Sequence, residues 1–300
     1  MTIKLPIKKS PIKVLSSKIE QVTDDWGLPT LQTTSAKDPL SLITLFVAPP
    51  GFGKTEFFGN IPDAIMLCCE EGHKFVKCHK IIIDCWDYRT DKERKNTWTD
   101  SDGNVHMTFL EAVEALENSD RFKYIIVDTV DSLVKMILDF HYILKKVEHA
   151  EDIGGFGKGW DIAQNTPFRR AFNRLLKTGR GVGLTTHQKT NDKQFKKGTQ
   201  TKKETTLPNG VFQYLFGQLD VILHGVFGKR QRGSNQRDRL IVTEGSEEIL
   251  AKNRGGFVPP EYICERGKQW QQFSNFFKIP ATVEIEYRKY QRLYGKDDQD

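Results

Sequence analysis

The chain has 300 residues, 38% hydrophobic and 28% charged, with a formal net charge of +6. This composition excludes a disordered chain, and no apolar run is long enough to span a bilayer, so no membrane partner is expected. The five cysteines lack a small-scaffold spacing. With an opening "MTIKLPIKKSPIKVL" too polar for a secretory leader, they favour the cytoplasm over a disulfide framework.

Residues 1–36 hold Lys4, Lys8, Lys9, Lys13 and Lys18 with little periodicity and read as a basic extension. The core is expected over 37–262, with a C-terminal extension over 263–300. "LITLFVA" (42–48), "AIMLCC" (64–69), "KIIIDCW" (80–86), "YIIVD" (124–128) and "GVGLTT" (181–186) read as buried strands. Between them, 107–118 and 130–147 carry helical apolar spacing, the latter through Leu133, Ile137, Leu138, Leu144 and Val147. A third helix is expected over 166–181, with Thr166 as N-cap, Pro167 at its first position and a stop at Gly179 or Gly181. Strands alternating with helices predict an α/β fold with a mainly parallel sheet. "LDVILHGVFGK" and "DRLIVTE", joined by "RQRGSNQRD", predict antiparallel strands at its C-terminal end.

The stretch Ala48-Pro49-Pro50-Gly51-Phe52-Gly53-Lys54-Thr55, with Glu56 after it, follows the first strand and opens a helix. It fits a phosphate-binding P-loop, with Ala48 where glycine is common. The glycines let backbone N–H groups approach phosphate oxygens, Lys54 would reach the β- and γ-phosphates, and Thr55 would hold Mg²⁺. Asp128 ends an apolar strand about seventy residues further on, which suits the second Mg²⁺-side carboxylate. Thr129 follows it where many ring ATPases have a glutamate, so a general base is sought elsewhere. Glu70 ends the second strand, expected beside the P-loop strand, and Glu71 is its neighbour. Asp131 is expected to cap the next helix or to support the site.

These motifs, in this order, resemble the RecA-like P-loop ATPases, and within them the phage ATPases of single-strand annealing and recombination. The resemblance spans roughly residues 42–262. It implies ATP and Mg²⁺ as cofactors and a RecA-like fold, with Glu70 activating water and His187 and Gln188 of "GVGLTTHQK" sensing the γ-phosphate. It places a first DNA-facing loop at 154–161, with Lys158 and Trp160, beside Phe156. A second follows at 188–206, read as mobile because it is nearly free of apolar residues, with Lys189, Lys193, Phe195, Lys196, Lys197, Lys202 and Lys203. Lys252 and Arg254 match basic residues that reach a neighbour's nucleotide, which implies a filament or ring. Single-stranded DNA is the implied partner, with single-strand-binding or replication proteins as further ones, in a host cytoplasm if the chain is phage-encoded. A weaker basic patch is Lys229, Arg230 and Arg232. A nucleotide-binding annealing protein without hydrolysis, a helicase loader and a P-loop kinase stay open; "KRQRGSNQRDR" (229–239) keeps an arginine lid in play. The clustered Cys68, Cys69, Cys78, His79 and Cys85 read as small core residues rather than a zinc site.

Overall fold

A computed structural model describes residues 38–87, 97–195, 198–230 and 237–278, with backbone alone at 193–195, 198–200 and 229–230. The basic segment 1–36, Lys196, Lys197 and Arg232 lie outside the described residues, as do the side chains of Lys193, Phe195, Lys229 and Arg230.

The strands are β1 (Ile43–Ala48), β2 (Ala64–Cys68), β3 (His79–Cys85), β4 (Trp98–Thr99), β5 (Val105–Thr108), β6 (Tyr124–Asp128), β7 (Gly181–Phe195), β8 (Gly198–Thr205), β9 (Val221–Arg230), β10 (Arg237–Val242), β11 (Lys252–Asn253) and β12 (Glu261–Ile263). The helices are α1 (Lys54–Gly59), α2 (Phe109–Glu117), α3 (Val130–Lys145), α4 (Ala150–Ile153), α5 (Lys158–Trp160), α6 (Thr166–Lys177), α7 (Asn209–Gln218) and α8 (Gln269–Phe276). The sheet runs β12-β10-β9-β1-β7-β6-β2-β3-β5-β4. From β9 to β5 neighbouring strands are parallel, and β10, β12 and β4 add antiparallel edges. The expected α/β architecture, mainly parallel with antiparallel C-terminal strands, is observed.

Alternation along the strands divides the interior into two cores. Leu45 and Val47 of β1 join Ile125 and Val127 of β6 under α2, α3, α6 and α7. Phe46 and Ala48 face the other way, with Tyr124 and Ile126, onto α1 and α8. Central strands buried on both faces read as continuous apolar runs, which is why β1, β2, β6 and the start of β7 were visible in the sequence; β3, less buried, showed through Ile81–Ile83. Gly181 and Gly183 of β7 face the second core because aromatic rings already fill that space: a Cβ on Gly183 would come within 2.5 Å of the Phe58 ring. Beyond residue 262, α8 sets Trp270 and Phe273 against Phe57, with ring centroids 5.7 and 5.6 Å away. Truncating a buried aromatic of this kind costs about 3–5 kcal/mol.

Several local expectations are corrected. The helix expected from 107 starts at Phe109, because Thr108 caps it: its hydroxyl accepts from Glu111 N and the Glu111 carboxylate accepts from Thr108 N. Met107 and Thr108 instead close β5. Thr166 is not an N-cap; a π-turn over Asp161–Asn165 leads straight into α6. Pro167 offers no N–H to that widened turn. The fully buried face of α3 stops at Ile137, Phe140 packs only partly against the core, and Leu144 is half exposed. The largest correction is at 188–206. β7 continues to Phe195 and β8 returns beside it, with Gln188 opposite Thr205 and Phe195 opposite Gly198, so the expected loop is a β-hairpin. No helix among the described residues is long and apolar enough to cross a membrane.

Candidate active site

Gly51 and Gly53 hold the loop after β1 in the left-handed region, at φ 76° and 104°, which favours glycine strongly. Nothing stands within 4 Å of where a Cβ on Gly51 would be. Lys54 is buried, and its Nζ donates to the carbonyl of Ala48 at 2.9 Å and, weakly, to that of Pro49 at 3.4 Å. Burial lowers its pKa, while Asp128, Glu70 and Asp131 pull the other way.

Asp128 is buried at the end of β6. Thr55 Oγ1 donates to its Oδ2 at 2.7 Å, and the Thr185 hydroxyl donates to its Oδ1. Its pKa is raised, because burial outweighs those two hydroxyls and Lys54. A buried carboxylate touching the P-loop threonine fits a site that accepts a divalent cation. Mg²⁺ bound there would be held by Thr55 and Asp128 and would neutralise charge on the β- and γ-phosphates.

Glu70 lies close by, though not for the reason its position in the sequence suggested. β2 is not beside β1; β7 and β6 stand between them. The carboxylate reaches inward from the end of β2, accepting from Thr129 Oγ1 at 3.1 Å and Ser132 Oγ at 3.4 Å, with His187 Nε2 3.5 Å away. The His187 contact is the chief cause of its lowered pKa, and the same contact raises that of His187. Glu70 is therefore held ionised, the form a general base needs. Glu71 is exposed and paired with Lys74 at 3.4 Å.

Adjacent residues of β7 face opposite ways, and this separates the two expected sensors. His187 turns to Glu70, whereas the Gln188 amide lies 3.0 Å from Nε2 of the fully buried His224 on β9. Asp131 is not the cap of α3; Thr129 is, accepting from Ser132 N. Asp131 instead accepts from His187 N at 3.1 Å and from the Thr206 hydroxyl, while Thr206 N donates to His187 O at 3.0 Å. It ties the first turn of α3 to the base of the hairpin.

A family model for an AAA domain matches residues 41–255. The chain belongs to this AAA domain family. Its P-loop core is accordingly a nucleotide-binding ATPase domain. No curated protein matches. Among solved structures, a KaiC-like protein from the hyperthermophilic archaeon Pyrococcus horikoshii OT3 is similar over 77% of this chain and 88% of that one, with 12% identity and a TM-score of 0.38.

In this AAA domain the other predicted site residues fall into two groups. Lys252 and Arg254 are not in the P-loop site of their own chain. β11 pairs with Val221 and Ile222 at the start of β9, level with Thr44 and Leu45, away from the P-loop end of β1. There Lys252 Nζ donates to Phe216 O at 2.7 Å, and Arg254 pairs with Asp220 at 3.2 Å. The nucleic-acid candidates are distributed over two exposed elements. On the hairpin, Lys189 is exposed, Lys202 is paired with Glu204 at 2.7 Å, and the Lys203 backbone bonds to Glu248 and Leu250. The 154–161 segment is folded, since a Cβ on Gly159 would sit 1.6 Å from Ala150 O. Phe156 is fully exposed at its tip, with Lys158 and Trp160 beside it, so Trp160 is not a core anchor. Thr185, Thr206 and His224 were missed. A polar residue inside an otherwise apolar strand was the available signal for Thr185 and His224.

Proposed function

We propose that the chain hydrolyses Mg²⁺-ATP and uses the nucleotide state to control its grip on single-stranded DNA, as an ATPase of the recombination or annealing type in phage DNA metabolism. One observation carries this reading: the P-loop and the lysine hairpin are joined through a few direct contacts. Thr55 holds Asp128, Asp128 holds Thr185 of β7, and β7 runs on through His187 and Gln188 into the hairpin.

Phosphates entering the loop offer Lys54 better acceptors than the carbonyls of Ala48 and Pro49. Glu70, ionised beside His187, takes the proton of the attacking water. Any change at Glu70 then reaches His187, whose backbone N–H is held by Asp131 at the hairpin base. Lysines on the hairpin and Phe156 with Trp160 serve phosphates and bases respectively, a mode without sequence selection. Lys252 and Arg254 serve a neighbouring subunit in a filament or ring.

The test is ATP hydrolysis by the wild type and by Lys54→Ala, with and without single-stranded DNA, at two salt concentrations. Stimulation by DNA that weakens with salt and vanishes in the variant is expected. Hydrolysis indifferent to DNA would detach the P-loop from DNA and turn attention to a loader or kinase role.

A further inference from the structure

Arg239 stands at the phosphate loop with no task in the scheme above. It comes from β10, two strands away from β1, and a β-bulge between Arg237 and Arg239 shifts its register. Bulges beside functional sites often re-aim a side chain. Here the guanidinium lies over the loop. Its Nη2 is 3.5 Å from Gly51 O, its centre is 6.0 Å from the Phe52 ring, and a Cβ on Gly53 would come within 3.2 Å of Nη1.

This arginine is poorly satisfied where it is. Nη1 is buried without a hydrogen-bond partner. The carboxylate it pairs with, Glu56, is 3.9 Å away, too far for a hydrogen bond. Glu56 has other company: Gln269 Nε2 donates to it at 3.2 Å, and Arg266 Nε lies 4.0 Å from it. A donor fork is thus held beside the loop by a partner that does not depend on it.

In a P-loop the lysine serves the β- and γ-phosphates, and the loop backbone cradles the α- and β-phosphates. Arg239 reaches that backbone at Gly51 O and fills the space a side chain on Gly53 would take. We propose that Arg239 is a nucleotide-binding residue for the α-phosphate of nucleoside di- and triphosphates. On nucleotide entry Nη1 turns from Glu56 to the phosphate, while Gln269 and Arg266 keep the glutamate from repelling it. The planar fork suits a phosphate better than a lysine would. This inference rests on the P-loop reading above.

Calorimetric titration of ATP, ADP and pyrophosphate tests it, since pyrophosphate can fill the Lys54 end alone. Arg239→Gln is expected to weaken ATP and ADP about ten- to a hundredfold and pyrophosphate by less than about threefold. Arg239→Lys should recover only part of the loss. An unchanged ATP affinity overturns the proposal. An equal loss for pyrophosphate does so too, because it makes Arg239 a brace of the loop. So does wild-type ATP affinity in the Glu56→Gln, Arg239→Gln double variant, which makes Arg239 a shield for Glu56. If Arg239→Gln does not fold, Glu56→Gln reads the same contact from the other side. Tighter ATP binding supports the proposal; unchanged or weaker binding overturns it. A wild type that binds no ATP defeats the P-loop reading itself, a result separate from all of these.

Discussion

The two halves of β7 are one strand in two physical situations. It pairs with β6 from Gly181 to Leu184 and with β1 from Val182 to His187, and Val182, Leu184, Thr185 and Thr186 are wholly buried. From Gln188 to Phe195 its described partner is β8 alone, and Lys189 and Thr190 are exposed. The first half is anchored in the sheet, with both edges strand-paired from Val182 to Leu184. The second is a two-stranded ribbon with no apolar face to bury, and such a ribbon is marginal by itself. Its cross-strand contacts, Lys202 to Glu204, Asn191 to Glu204 and Thr201 to Asp192, are each worth tenths of a kcal/mol up to about 1 kcal/mol. A rail fixed in the sheet, bearing the proposed γ-phosphate sensor, thus continues as a thin arm tied to the body at Lys203, through Glu248 and Leu250.

The sharpest way to break this division is at the rail. Glu70→Gln removes the proposed base and keeps the shape, so hydrolysis should fall about 10²- to 10⁴-fold with nucleotide affinity retained. Paired turnover and equilibrium binding measurements check it. A variant that hydrolyses within tenfold of wild type would send the search for the base elsewhere, with His187 the first alternative.

Between rail and arm sits His224. Its Nδ1 lies 2.9 Å from the Leu250 carbonyl oxygen and its Nε2 3.0 Å from Gln188 Oε1. Both neighbours are oxygen acceptors, so the neutral ring donates its one N–H to one of them. Burial is the main reason its pKa is depressed, to about 4, with Lys203 adding to the effect. The unfolded chain takes up this proton as pH falls through about 6.5, and the folded chain does not until about 4, so stability is lost on acidification across that window. The loss is about 3 kcal/mol, at roughly 1.4 kcal/mol per pH unit. Chemical denaturation of His224→Gln between those pH values should show that much less slope. An identical slope in variant and wild type would contradict the neutral buried ring.

What could be read in the chain follows the same division. The rail was legible because buried parallel strands write themselves as apolar runs, and because Gly51, Gly53, Lys54 and Thr55 are bound to a fixed spacing by the phosphate they would wrap. The arm was read as a loop because its strand signal has no apolar alternation. Its structure comes from continuing β7 past the sheet, which local pattern does not encode. Glu70 was found by its place at a strand end, yet the supposed neighbour strand was wrong; strand order depends on crossovers between distant segments. Arg239 was embedded in a run of polar and basic residues, and only the bulge in β10 aims it at the P-loop.

The smallest effect separates two lysines of the arm. Lys189 is exposed, and Lys202 already spends its charge on Glu204 at 2.7 Å. A lysine that neutralises a phosphate of single-stranded nucleic acid contributes about 0.7 to the slope of log K against log salt. Lys189→Ala should therefore flatten that slope by about 0.7, and Lys202→Ala by less, because a lysine already paired with Glu204 neutralises less phosphate charge. Hydrolysis without DNA should stay within about twofold in both, since neither residue touches the rail. Binding isotherms on a short single strand at four or five salt concentrations decide it. Equal slopes for Lys189→Ala and wild type would take the arm out of the DNA interface and leave Phe156, Lys158 and Trp160 as the surface to test.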